Sequence, residues 1–132
     1  MKRRSRQRGF TLIELMVVIS IIVILMSVAI PRYQASILRA RETALRDDLY
    51  TLRSVIDQYT LDKQKAPQSL QDLVEAGYLK ELPKDPFTNT RDSWVPMTDD
   101  SIMSPDQSQP GIIDVHSGSE QNSSEGTAYS SW

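Results

Sequence analysis

The chain has 132 residues, no cysteine and a formal net charge of −2. Without cysteine, its residues offer no disulfide, thiolate metal site or cysteine nucleophile. Residues 1–9 carry five basic residues and no acid, whereas the remainder has ten basic and seventeen acidic residues, a formal charge of −7. This acidic balance argues against nucleic-acid binding, which needs a basic patch.

The apolar segment, residues 10–30, follows the basic start directly and contains one charged residue, Glu14. As a helix it would be about 31 Å long, close to the roughly 30 Å hydrocarbon thickness of a bilayer. We therefore predict a transmembrane helix. The preceding cations predict a cytoplasmic N-terminus by the positive-inside rule, and they are Lys2, Arg3, Arg4, Arg6 and Arg8.

Glu14 is the unusual residue of this segment, because an ionised acid in a spanning helix costs roughly 2.5–3.5 kcal/mol on insertion scales. One interpretation is that it lies near enough to the helix start to reach the interface. The other is that cleavage after Gly9 leaves a free amine on Phe10. The amine of a neighbouring copy would then supply the buried cation that a buried carboxylate needs.

The run from Gly9 to Glu14, GFTLIE, resembles the processing signal of type IV pilins and type II secretion pseudopilins. The resemblance implies that a prepilin peptidase cuts after Gly9 and methylates the new N-terminal Phe10. It also implies that Glu14 aligns the incoming subunit during filament assembly.

Beyond the apolar segment, the pattern predicts one helix from about Phe10 to about Asp62. Pro31 removes a helical hydrogen bond and should kink or open the helix near residues 27–31. An apolar face then recurs at steps of three and four residues, which is typical of an amphipathic helix; it comprises Leu45, Leu49, Leu52, Ile56 and Tyr59. We divide the helix into a filament-core part, residues 10–31, and a stalk, residues 32–63.

Residues 64–132 are expected to form a small head. Ser69 is a plausible N-cap for a short helix from Leu70 to Ala76, with Gly77 as its stop. Apolar residues of the connector after it, Tyr78 to Phe87, should cover the long helix. Residues 66–86 also resemble the corresponding segment of major pseudopilins.

The two strand candidates are residues 94–97 and 112–116, which we expect to pair antiparallel on the helix. Residues 127–132 could add a last short strand anchored by Trp132. The predicted fold class is α+β: a long N-terminal transmembrane and stalk helix packed against a small antiparallel sheet, as in pilins.

The residues give little support for catalysis. His116 is the only histidine, and it lacks a surrounding set of nucleophile and acids, so a structural or surface role is expected. The five arginines of residues 32–53 lie among acids. They could form i,i+4 pairs within the helix or reach acids of neighbouring subunits.

The loop before Trp132 is where the resemblance to major pseudopilins implies calcium. The candidate ligands are Ser117, Ser119, Glu120, Asn122 and Glu125. Because calcium favours carboxylate oxygens and this loop has no aspartate, the alternative is a loop held by its own hydrogen bonds. No other cofactor is expected.

We interpret the chain as a non-enzymatic subunit of a type II secretion pseudopilus. The resemblance implies an inner-membrane protein with a periplasmic head, later a periplasmic filament. Its partners would be membrane lipid, prepilin peptidase, copies of itself, other pseudopilins and inner-membrane assembly proteins. The alternatives are a type IV pilin for adhesion, motility or DNA uptake, and a monomeric membrane-anchored binding domain.

Overall fold

The computed structural model describes residues 8–100, 105 and 109–132. The basic leader up to residue 7 and part of the polar loop between the two strands therefore lie outside the described residues. The chain divides into two compact units. The first ends at Ile37, and the second runs from Leu38 to Trp132.

Helix α1 spans Leu12–Lys63 and is close to the predicted helix in extent. Thr11 caps its start, because its Oγ1 accepts the Glu14 N–H at 3.2 Å. At the other end, Gln64 has a φ of +55°, which is left-handed and cannot continue the helix. Residues 27–31 remain helical through Pro31, so the helix does not open there, and a kink at Pro31 stays a prediction. The missing Pro31 N–H removes one hydrogen bond without ending the helix.

The second unit is built around the amphipathic part of α1. All five residues of the predicted apolar face are buried. They pack in one core with residues from later parts of the chain, and the other members are Val55, Leu70, Leu73, Trp94, Ile112, Val115 and Tyr129. Tyr78, Leu79, Leu82 and Phe87 pack against this core from the connector, which confirms the predicted covering role.

Helix α2 spans Leu70–Glu75 and begins at the predicted N-cap, Ser69, which forms a capping box with Asp72. Ser69 Oγ accepts the Asp72 N–H at 3.3 Å, and an Asp72 carboxylate oxygen accepts the Ser69 N–H at 3.0 Å. Gly77 ends this segment with a φ of +83°, a conformation that glycine adopts without steric cost.

Strands β1, Val95–Thr98, and β2, Ile112–His116, pair antiparallel, with Val95 opposite His116 and an irregularity between Met97 and Thr98. The α+β class is therefore confirmed. The predicted last strand is wrong, since Tyr129–Ser131 is a 3-10 helix. Tyr129 is fully buried there, stacked on Phe87 with ring centroids 3.8 Å apart.

Candidate functional site

The candidate processing segment lies at the start of α1. Glu14 is the third residue of the helix, in the turn where unpaired N–H groups and the helix dipole favour a negative charge. With Thr11 as N-cap, the sequence from Thr11 to Glu14 has the spacing of a capping box. The fold of α1 therefore tolerates a carboxylate at this position better than at any later turn of the apolar segment.

Gly9 and Phe10 precede the helix and are accessible. Phe10 is 85% exposed, and a Cβ added at Gly9 would meet no atom within 4 Å. Arg8, Gly9, Phe10 and Glu14 line one open groove of about 370 Å³. The structure thus brings the predicted cleavage residues and the predicted assembly carboxylate together. Among the described residues, nothing gives a steric reason for glycine at position 9.

No residue that the structure describes forms a layer that covers the apolar segment. Every residue from 8 to 41 is exposed, and the segment includes sixteen large apolar side chains. Removing each from water is worth roughly 1.5–3 kcal/mol, so tens of kcal/mol favour covering this surface. A helix that is apolar on all sides belongs in lipid or inside an assembly.

The hydroxyl groups of the two serines in the apolar segment form hydrogen bonds within the helix. Ser20 Oγ donates to the Met16 carbonyl at 2.7 Å, and Ser27 Oγ donates to the Ile24 carbonyl at 2.7 Å. Both hydroxyls are therefore satisfied within the helix, which lowers the cost of removing them from water. In the part of the chain that the structure describes, α1 is the one helix that is long and apolar enough to cross a membrane.

The C-terminal loop, residues 117–127, holds polar groups that the sequence pattern did not single out. Asp85, from the connector, is fully buried and accepts the Ser117 hydroxyl at 2.5 Å. Glu42, on α1, is only 6% exposed and accepts hydrogen bonds from Ser124 and Tyr129. A charged residue on a helix is ordinarily expected on the solvated side, and Glu42 departs from that expectation. Its position three residues before Leu45 continues the buried face and was the missed signal.

Two of the arginines on α1 form ion pairs with acids of the second unit's C-terminal part. Arg46 lies 3.4 Å from the Glu125 carboxylate, and Arg53 lies 2.5 Å from Asp114. Both ion pairs join residues that are distant in sequence, while the charge of Arg46 also acts on Glu42, four residues earlier on α1. Contacts with neighbouring subunits stay a prediction for the others.

His116 is half-buried on β2, with Nε2 3.7 Å from Asp114 Oδ2. Its buried Nδ1 has no hydrogen-bond partner among the described residues. These contacts place it in the sheet beside a carboxylate that Arg53 already engages, which fits a structural histidine.

Comparison with known proteins finds a family match in the N-terminal part of the chain. Residues 4–30 match the family described as "Prokaryotic N-terminal methylation motif". With an exposed Gly9–Phe10 junction, an apolar helix and a small α+β unit, the chain has the features of a prepilin-type protein.

Similarity to named proteins identifies the family within this class. Proteins named "Type II secretion system core protein G" are 34% identical in Klebsiella pneumoniae, over 86% of this chain and 84% of the relative, and 37% identical in Escherichia coli, over 67% and 72%. One in Pseudomonas aeruginosa is 34% identical, over 73% and 79%. No solved structure matches significantly. The chain belongs to the type II secretion system core protein G family, the major pseudopilins, and is a structural subunit of a pseudopilus.

Proposed function

We propose that this chain is cut between Gly9 and Phe10 by a prepilin peptidase, methylated at Phe10, and drawn from the inner membrane into a filament. The observation that carries the proposal is an apolar segment, residues 10–30, that is exposed on every side and has a single carboxylate, in the first turn of α1. The matched methylation motif, residues 4–30, includes both the junction and the apolar segment.

Before assembly, lipid would cover the apolar segment. The cytoplasmic N-terminus and the periplasmic position of the head follow from the basic leader by the positive-inside rule. In the filament, apolar segments of neighbouring copies would replace lipid, so the same surface stays out of water in both states.

Glu14 would set the register between neighbouring subunits as they replace lipid around the apolar segment. Cleavage removes Arg8, which lines the same groove as Glu14, and creates an amine at Phe10. The Phe10 amine of a neighbouring copy would pair with Glu14, since an unpaired carboxylate is costly in an apolar filament core. Pro31 would weaken the helix locally by one hydrogen bond and let it bend as the subunit leaves the bilayer.

The growing filament would move secreted proteins towards the outer membrane, together with other pseudopilins and inner-membrane assembly proteins. This chain's role in that process is mechanical and requires no catalysis. Residues 10–31 would form the filament core, and the head, residues 64–132, would form the filament surface.

The test replaces Glu14 with Ala or Leu in a host that carries the secretion system. Both variants should remain in the membrane fraction and lose filament assembly, measured as protein released by shearing. Glu75→Ala is the matched control, because Glu75 is an exposed acid on α2. A Glu14→Leu variant that assembles normally would instead indicate a simple membrane anchor.

A further inference from the structure

The C-terminal loop is where the sequence resemblance leads to an expectation of calcium. Calcium takes about six to eight oxygen ligands, with carboxylates prominent among them. The loop has two carboxylates, Glu120 and Glu125. The Glu125 carboxylate lies 3.4 Å from the guanidinium of Arg46, a partner that competes with a cation for the same oxygens.

The hydroxyl groups of the loop are engaged with the protein itself. Ser117 Oγ donates to Asp85 at 2.5 Å and accepts the Ser119 N–H at 3.1 Å. Ser119 Oγ accepts the Gln121 N–H at 3.3 Å, and Ser123 Oγ accepts two further loop N–H groups at 3.2 Å. Over the described residues, no three acids or histidines are placed to share a metal ion. The residues present therefore do not fit a calcium site.

A carboxylate from α1 takes the structural role that a bound calcium ion would have in holding the loop. Glu42 Oε1 accepts the Ser124 N–H at 2.6 Å, and Oε2 accepts the Ser124 hydroxyl at 2.7 Å. The Tyr129 hydroxyl also donates to Oε1, at 2.9 Å. Three donors from the loop and its C-terminal neighbour thus converge on one side chain, as they would around an anion.

The charges around Glu42 support an ionised carboxylate. The Ser124 N–H and hydroxyl lower the pKa of Glu42, and the Tyr129 hydroxyl and the charge of Arg46 act in the same direction against the effect of burial. Burial, followed by the hydrogen bond to Glu42, raises the pKa of Tyr129 to about 12, so the phenol stays a donor at neutral pH. Arg46 in turn contacts Glu125 and lies over the Trp132 ring, 4.4 Å from its centroid.

We infer that Glu42 holds the C-terminal loop in this chain in place of a calcium ion, and that the loop is independent of calcium. Glu42 also positions the end of the chain. Tyr129 packs edge-on against Trp132, with ring centroids 5.2 Å apart, and Trp132 Nε1 donates to Thr127 Oγ1 at 2.9 Å. This inference concerns the monomer's loop and does not depend on filament assembly.

The experiment measures amide hydrogen exchange of peptides covering residues 117–132 in the detergent-solubilised full chain. Each protein is measured with excess EDTA and with millimolar CaCl2. Wild type should show the same loop protection in both solutions. Glu42→Gln should exchange roughly tenfold faster or more in the loop in both solutions, because it loses a charge-assisted hydrogen bond.

Asp57→Asn is the matched control, since Asp57 is an exposed acid of the same helix; its loop should exchange as in wild type. Tyr129→Phe tests the lock even if Glu42→Gln unfolds, because it removes one hydrogen bond and keeps the ring. Loop protection should fall in this variant as well. Loss of protection in wild type on adding EDTA, restored by CaCl2, would overturn the inference, as would wild-type protection in either Glu42→Gln or Tyr129→Phe.

Discussion

Arg53 on α1 and Asp114 on β2 are 61 residues apart in sequence, and Arg53 Nε lies 2.5 Å from Asp114 Oδ1. Arg53 Nη2 also donates to the main-chain oxygens of Val115, at 3.1 Å, and Trp132. One guanidinium therefore ties the helix to both the sheet and the C-terminal segment. Only a planar group with several donors can serve three acceptors in this arrangement.

We expect Arg53→Ala to lower the free energy of unfolding of the second unit by about 1–2 kcal/mol. The value is at the modest end for charged hydrogen bonds because the pair is partly exposed. Arg53→Lys should recover only part of the loss, since an ammonium group cannot reproduce the fork. Arg41→Ala, at an exposed position of α1, is the control for thermal unfolding followed by circular dichroism; equal effects of the two alanine variants would contradict the tie.

Glu42 predicts an acid-sensitive loop. Its pKa is lowered from an ordinary 4.5, chiefly by the Ser124 N–H, with the Ser124 and Tyr129 hydroxyls and Arg46 assisting. A carboxyl with a lowered folded-state pKa adds stability above the unfolded-state pKa, and that stability is lost as pH falls through the folded-state value. Loop protection should therefore decline below about pH 4.5 in wild type.

The same measurement in Glu42→Gln supplies the comparison. With no carboxyl at position 42, its loop protection should vary less with acid than that of wild type. At the alkaline end, Tyr129 has a raised pKa of about 12, so its contribution should persist to about pH 10 and then fall. An identical acid response in wild type and Glu42→Gln would show that another group controls the loop.

Local patterns explain which parts of this fold could be predicted. The buried face of α1 repeats over four turns, and the capping box of α2 needs only residues three apart, so both are visible in sequence. The strands were also found from short apolar runs. Each of these features depends on neighbours along the chain.

The missed features depend on contacts between distant residues. Glu42 contacts Ser124 and Tyr129, 82 and 87 positions away, and without those partners a glutamate on a helix appears solvated. Residues 127–132 have a strand-like composition, but Tyr129 stacks on Phe87 and the chain turns into a 3-10 helix. Tertiary packing decides the conformation there, as it often does for short segments.

Asp48 is a half-buried acid on α1, and we expect it to lower the stability of the fold at neutral pH. Burial raises its pKa, and the charges of Asp47 and Asp85 raise it further. A raised pKa means that folding disfavours the ionised form, so this group's contribution to stability falls as pH rises through its folded-state value. Asp48→Asn should therefore raise the melting temperature at pH 7 by a few degrees.

The advantage of Asp48→Asn should shrink as the pH is lowered, because wild-type Asp48 then becomes protonated. Asp57→Asn, at an exposed position of the same helix, should leave the melting temperature nearly unchanged at both pH values. The measurement is a series of thermal melts of the detergent-solubilised chain at neutral and acidic pH. A lower melting temperature for Asp48→Asn at pH 7 would mean that the carboxylate makes a stabilising contact.

Substitutions at Gly9 and Gly77 distinguish a glycine that is needed for cleavage from a glycine that is needed for folding. A Cβ at Gly9 would meet no atom within 4 Å, so Gly9→Val should leave the melting temperature unchanged. If glycine is needed by the prepilin peptidase, the variant should keep residues 1–9, remain in the membrane and form no filament. Mass spectrometry of the N-terminus distinguishes the uncut chain from one that begins at methylated Phe10.

Gly77→Ala should show the opposite pattern. Gly77 has a φ of +83°, and alanine in the left-handed region costs about 1–2 kcal/mol, so its second unit should melt at a lower temperature. Because Gly77 lies far along the chain from the cleavage junction, the Gly77→Ala variant should still be cut after Gly9 and methylated at Phe10. Normal processing of Gly9→Val would show that the peptidase does not require glycine here, and reduced stability of that variant would show that the leader contributes to folding.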